Sequence, residues 1–82
     1  MIDFEKVLYN LCEPIVSDRL NLSVKRLETL EDNEICLCVY ANSDDVARLI
    51  GKKGSMASSI RQMMSVASRK ENKKITIQFE SY

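Results

Sequence analysis

The residues of this chain best suited to chemistry lie together in Leu49-Ile50-Gly51-Lys52-Lys53-Gly54-Ser55. A glycine at each end of a four-residue connection permits a sharp turn without Cβ clashes and lets a ligand's backbone come close to the peptide groups. Apolar periodicity on both sides makes this stretch a link between two helices. The second helix starts at the loop, so its unpaired N–H groups and the positive end of its dipole face whatever docks there. Lys52 and Lys53 add two mobile cations. Positive charge combined with close approach is what a phosphodiester backbone requires. The spacing alone would also serve a plain turn between two helices of a bundle.

Charge distribution sharpens the reading. The 82 residues carry twelve basic and twelve acidic side chains and no net charge. Residues 1–45 hold four basic and ten acidic groups, a net −6, whereas residues 46–82 hold eight basic and two acidic groups, a net +6. A local basic field of this kind fits a polyanion such as a phosphate backbone, and the acidic half discourages indiscriminate sticking. Segregated charges can also be no more than a solvated surface.

Elements that would hold the loop in place can be read from hydrophobic spacing. Phe4, Val7, Leu8, Leu11, Cys12 and Ile15 form one helical stripe, with Asp3 as its N-cap and Ile2 placed to staple onto Val7. Pro14 lacks an N–H, so the helix is expected to kink there or restart as a short continuation through Val16. Leu22–Leu30 reads as a strand whose apolar phase slips at Leu27, which predicts a bulge. The polar run 31–34 turns into Ile35-Cys36-Leu37-Cys38-Val39-Tyr40, an unbroken apolar stretch typical of a central strand covered on both faces. Asn42 or Ser43 caps a short helix through Ile50, with Asp44 and Asp45 in the first turn, where the dipole favours anions. In the helix after Ser55, Met56, Ala57, Ile60, Met63, Met64 and Ala67 fall within about 120° and form its core face, with Val66 beside the stripe. Asn72-Lys73 leads into Lys74–Glu80, whose strict alternation marks a strand with one buried face. The predicted architecture is one α+β domain spanning residues 1–82. Its order is α-β-β-α-α-β, with a three-stranded sheet and the helices on one face.

Val46-Ala47-Arg48-Leu49-Ile50-Gly51-Lys52-Lys53-Gly54, followed by Ser55-Met56-Ala57-Ser58-Ser59-Ile60-Arg61, resembles the signature of the K homology (KH) domain, in which an Ile-Gly-x-x-Gly loop joins two helices. The likeness is specific to the small single-domain KH proteins of bacteria, the KhpA family. It includes the Pro14 helix and the Lys70-Glu71-Asn72-Lys73 stretch before the last strand. The resemblance implies a type II KH fold that binds single-stranded RNA segments of about four nucleotides. Carried over to this chain, Gly51 and Gly54 allow close approach, Lys52 and Lys53 contact phosphates, and Ile50 forms part of a groove floor, with Ser55 opening the helix behind them. Arg48 and Arg61 either extend phosphate or base-edge contact or are solvated helix arginines. The resemblance further implies a homodimer, pairing with a larger KH-containing partner (KhpB, also called Jag), and a role as post-transcriptional regulator or RNA chaperone linked to cell-envelope growth and cell shape.

Several other classes are disfavoured. No apolar run approaches the ~18 residues of a membrane span, and the first six residues lack a secretory pattern, so the chain is expected in the cytoplasm without membrane insertion. With no histidine, most hydrolytic triads and mixed zinc sites are absent. Cys36 and Cys38 share a strand face and Cys12 could approach them, but a fourth thiolate ligand is missing, so all three cysteines are read as core residues and no metal or other cofactor is expected. No nucleophile or base arrangement recommends an enzyme. The five aromatic residues all lie outside the loop, which predicts modest affinity and weak sequence choice. That leaves open a second reading, a protein-interaction subunit in which the same fold dimerises or docks a partner. Single-stranded DNA is a further candidate ligand.

Overall fold

The computed structural model describes residues 2–82. Among them the elements follow the predicted order: α1 Phe4–Cys12, β1 Ser23–Leu27, β2 Glu34–Ala41, α2 Ser43–Ile50, α3 Ser55–Lys70 and β3 Lys74–Ser81, with single 3-10 turns at Arg19–Asn21 and Lys52–Gly54. The sheet order is β1-β2-β3, antiparallel between β1 and β2 and parallel between β2 and β3. A parallel pair needs a long crossover. Here α2 and α3 supply it, both pack against β3, and the loop between them comes to lie on that side of the molecule.

Caps fix the helix starts. The Asp3 side chain accepts from the Lys6 N–H at 3.1 Å, and that of Asn42 accepts from the Asp45 N–H at 2.9 Å. Odd-numbered residues of β2, Ile35, Leu37, Val39 and Ala41, point to the helices and meet Leu8, Cys12, Leu49, Ile60 and Met64 in one core. Each fully buried aliphatic side chain of this kind contributes about 1.5–3 kcal/mol. Burial on α3 centres on Ala57, Ile60, Met64 and Ser68, so the core face is rotated away from the predicted one: Met63 is 54% exposed and Met56 38%. Ser68 is tolerated there because its hydroxyl donates to the Ser65 carbonyl at 3.0 Å.

Three expectations need correction. The first helix neither kinks at Pro14 nor restarts; it ends at Cys12 in a turn, where the Val16 N–H still reaches the Cys12 carbonyl at 3.3 Å. The first strand stops at Leu27 in unbroken register with β2, without a bulge, and Leu30 is fully exposed in the hairpin turn. Helices cover only one face of β2. Cys36 and Tyr40 lie half-exposed on the other face, and Cys38 is buried there between its register neighbours Lys25 and Gln78. Cys12 sits in the helix-side core, so the sheet itself separates it from Cys36 and Cys38.

The connection from α1 to β1 is pinned to α2 by a buried carboxylate. Asp45 is closed to solvent and accepts from the Ser17 N–H (2.8 Å), the Ser17 hydroxyl (3.0 Å), the Asp18 N–H (3.0 Å) and the Arg48 guanidinium (2.7 Å). The backbone bond from Ser17 leads the causes that lower its pKa from 3.8 to about 2, against the opposing effect of burial. Because the folded carboxyl is the more acidic, its stabilisation is complete above about pH 4, the unfolded value, and is lost as pH falls through about 2. The Asp45→Asn variant is therefore expected to melt below wild type at pH 7, with the gap closing between pH 4 and pH 2. Melting curves recorded across that range check this, and a gap that does not change with pH would remove the ionised carboxylate from the account.

Candidate nucleic-acid interface

The loop between α2 and α3 is built on left-handed backbone. Gly51 closes α2 at φ 75°, ψ 179°, its N–H bonded to the Ala47 carbonyl at 3.0 Å; Lys53 follows at φ 56°, ψ 28° and Gly54 at φ 79°, ψ 11°. Gly51 is required twice over, since an L-residue at those angles is strained and a Cβ would lie 2.8 Å from the Met56 backbone nitrogen and 2.7 Å from its Cβ. A Cβ on Gly54 would meet nothing within 4 Å, so only its φ favours glycine. Lys53, a left-handed residue with a side chain, carries local strain of about 1–2 kcal/mol.

Chemistry follows from that backbone. Lys52, Lys53 and Ser55 are exposed. Neither lysine has a carboxylate within 4.0 Å among the described residues. Gly54 is the N-cap of α3 and offers no side chain to cap it; the Gly54 N–H bonds to the Gly51 carbonyl at 3.2 Å and the Ser55 N–H to the Lys52 carbonyl, so the turn caps the helix with its own backbone and sets the two exposed ammonium groups beside the positive end of the helix dipole. Ile50, 39% exposed, forms an apolar shoulder at the loop, while its neighbour Leu49 anchors α2 in the core. Residues Ile50 through Ser55 thus make one continuous surface.

The two predicted arginines part company. Arg48 is turned to Asp45 and also donates to the Ser17 hydroxyl at 2.9 Å, so its guanidinium is already committed to holding α2 on the preceding connection. Arg61 lies exposed on α3 and bridges to the edge strand, with Nη2 3.4 Å from the Ile77 carbonyl and its guanidinium 5.9 Å from the centre of the Phe79 ring. The Lys74 and Tyr82 N–H groups bond to the Asn33 and Ala41 carbonyls of the neighbouring strand, so even-numbered residues of β3 face β2 and odd-numbered ones turn their backbone groups outward. Ile77 and Phe79 share the helix-facing side of β3: Ile77 is buried in the core, and Phe79 is half-buried against it with Arg61 of α3 over its ring. Sequence spacing placed the five aromatics outside the loop, as they are, but did not show that Phe79 sits against Arg61. Only strand alternation, which assigns Ile77 and Phe79 to one face, hinted at it.

Among the described residues no group of three or more cysteines and carboxylates is gathered closely enough to hold a metal ion. Burial pushes the Cys12 thiol up to about 12, which keeps it protonated. No helix of the described residues is long and apolar enough to cross a membrane.

Two helices joined by an Ile-Gly-x-x-Gly turn and packed on a three-stranded sheet with a parallel crossover define the KH class of α+β domain. A family model for the KhpA/KhpB KH domain matches residues 5–79, and the chain belongs to that family. It is similar to a relative named RNA-binding protein KhpA from Clostridium perfringens (strain 13 / Type A), with 35% identity over 51 residues, 62% of this chain and 68% of the relative.

The two glycines are expected to respond differently to a methyl group. Gly54→Ala adds only left-handed strain, a loss of about 1 kcal/mol. Gly51→Ala adds strain and backbone overlap, a loss of about 3 kcal/mol or more. Denaturant titration of the two variants measures both, and equal losses would contradict the close approach of Met56 to Gly51.

Proposed function

We propose that this chain binds short single-stranded RNA at the cleft between α3 and β3, with the Gly51–Gly54 loop clamping the backbone. The observation that carries the reading is the pair of exposed lysines, with no carboxylate within 4.0 Å among the described residues, on a left-handed turn at the start of α3. The relative named as an RNA-binding protein supports the choice of RNA. In this reading Lys52 and Lys53 hold phosphates and Gly51 and Gly54 admit the backbone. Ser55 adds a hydroxyl at the start of α3, Ile50 lies against a base, and Arg61 lines the cleft. Arg48 acts indirectly by fixing α2. No catalytic residue is assigned. The role is that of a cytoplasmic RNA chaperone or post-transcriptional regulator.

One groove of this kind binds weakly, because a single aromatic lines it and stacking is worth about 1–3 kcal/mol per base. A homodimer would offer two grooves. Met56, Met63 and Val66 leave an exposed apolar strip on α3 that supports self-association. A larger KH protein such as KhpB is the second partner proposed, since the family model spans both names. The same strip favours the alternative reading, in which docking is primary and RNA binding secondary.

Replacing Lys52 and Lys53 together by Asp is expected to abolish RNA binding measured by fluorescence anisotropy while changing stability by less than about 1 kcal/mol, as exposed substitutions do. Unchanged affinity would take the loop out of the mechanism. With about three phosphates neutralised, log K is expected to fall with log salt at a slope near −2. An RNA with two segments and a flexible spacer is expected to bind a dimer tens of times more tightly than either segment. A dimer that binds neither design at tens of micromolar would leave docking as the function.

A further inference from the structure

A second positively charged surface lies at the opposite end of α3 from the glycine loop. Arg69 and Lys70 close the helix, and Lys73 and Lys74 follow across the turn into β3. Arg69, Lys73 and Lys74 line an open groove of about 300 Å³ together with Asn33, Asn72 and Glu31. Cations in a last helical turn complement the dipole, which accounts for Arg69 and Lys70. Lys73 and Lys74 lie beyond the helix and have no such reason. Among the described residues none of the four has a carboxylate within 4.0 Å. The Lys73 ammonium is steadied by the Asp32 carbonyl at 3.3 Å, and the nearby Glu71 carboxylate is turned to the Ile2 N–H at 3.2 Å. Glu31 is the one carboxylate on the groove's lining.

Between the two basic ends, α3 contains no Asp or Glu. Its exposed Ser55, Ser58, Gln62 and Arg69 fall within about 60° of arc at 100° per residue, a stripe of hydroxyl, amide and guanidinium donors of the kind that bond phosphate oxygens, bordered by the apolar Val66; the Ser59 hydroxyl is taken by the Ser55 carbonyl at 3.1 Å. Sixteen residues of helix span about 24 Å. Phosphates of a stacked strand are about 3.4 Å apart along its axis, so this length corresponds to about seven of them. That exceeds the roughly four nucleotides held at one GxxG loop.

We propose that the Arg69, Lys70, Lys73 and Lys74 surface is a second phosphate-binding site that takes the continuation of the same single strand, so that the footprint runs the length of α3. This rests on the reading of the Gly51–Gly54 loop as the primary RNA contact. The test compares oligouridylates of four and ten nucleotides by fluorescence anisotropy on three proteins: wild type, the triple variant Arg69→Gln/Lys73→Gln/Lys74→Gln, and the Lys52→Asp/Lys53→Asp variant. Wild type is expected to bind the longer RNA roughly tenfold more tightly, the second contact being intramolecular. Its salt slope is expected to be steeper by about 2, for three further phosphates. The triple variant is expected to lose both gains and keep wild-type affinity for the tetranucleotide. A length gain that survives in the triple variant, as two grooves of a dimer would produce, overturns the proposal, and so does a wild type with no length gain. If wild type binds neither RNA, the primary reading fails as well. If the tetranucleotide binds wild type and the Lys52→Asp/Lys53→Asp variant equally, the primary reading fails at the loop, and the second site loses its basis with it.

Discussion

The close approach of Met56 to Gly51 governs how the two halves of the crossover meet. With no Cβ at Gly51, the first turn of α3 can press its backbone nitrogen into the space a methyl group would fill. That contact sets the angle at which α3 leaves α2, and both helices then reach one core, Leu49 from one side and Ile60 and Met64 from the other. The same geometry turns Lys52 and Lys53 outward, while the N–H groups of Gly51, Gly54 and Ser55 bond to carbonyls of α2 and of the turn itself. Packing and the exposure of the two lysines therefore have a common origin, and Gly51 serves the fold first. Gly54, with open space around it, serves only the conformation of the turn.

Asp45 holds the other end of α2. A buried carboxylate is costly unless its oxygens are satisfied, and here two amides, a hydroxyl and a guanidinium satisfy them. One of the ten acidic groups in the N-terminal half is thus internal, so charge counting overstates the acidic surface. It overstates the free positive charge as well, because Arg48 is the partner. The net basic field presented to a ligand comes from the two ends of α3 and from Arg61.

Local signals explain what could be read in advance. The caps Asp3 and Asn42, the alternation of Lys74–Glu80 and the paired glycines depend on neighbours within a few residues, and all appear in the structure as expected. Where two patterns were both apolar, periodicity could not choose. In β2 odd and even residues are alike hydrophobic, so nothing in the spacing said which face the helices would cover or that Cys12 would lie across the sheet from Cys36 and Cys38. Leu27 and Leu30 suggested a longer strand, but the partner strand begins at Glu34, and without a partner an apolar residue in the hairpin stays exposed. Arg48 was ambiguous because its fate depends on the Ser17 hydroxyl, far away in sequence, and on an Asp45 carboxylate buried by that same connection. Phe79 was missed for the same reason, since its neighbour Arg61 is set by the packing of α3 on β3.

The placement of Arg61 decides what a ligand would meet between α3 and β3 under the proposed function. Its guanidinium spans from α3 to the Ile77 carbonyl and lies over the face of Phe79, within the range of a cation–π contact. Under the proposed function, a single strand entering between α3 and β3 would meet a charged planar group backed by an aromatic ring, and a base would stack on the guanidinium plane while its phosphate stays near the loop. The outward Ile77 carbonyl and the Arg61 donors also compete for each other, and a base edge that replaces one of them gains less than a full hydrogen bond. Such a wall tolerates many bases and rewards none strongly. Under the proposed function, affinity then comes from the number of phosphates held along α3 and from the number of copies engaged, and sequence preference is a minor contribution.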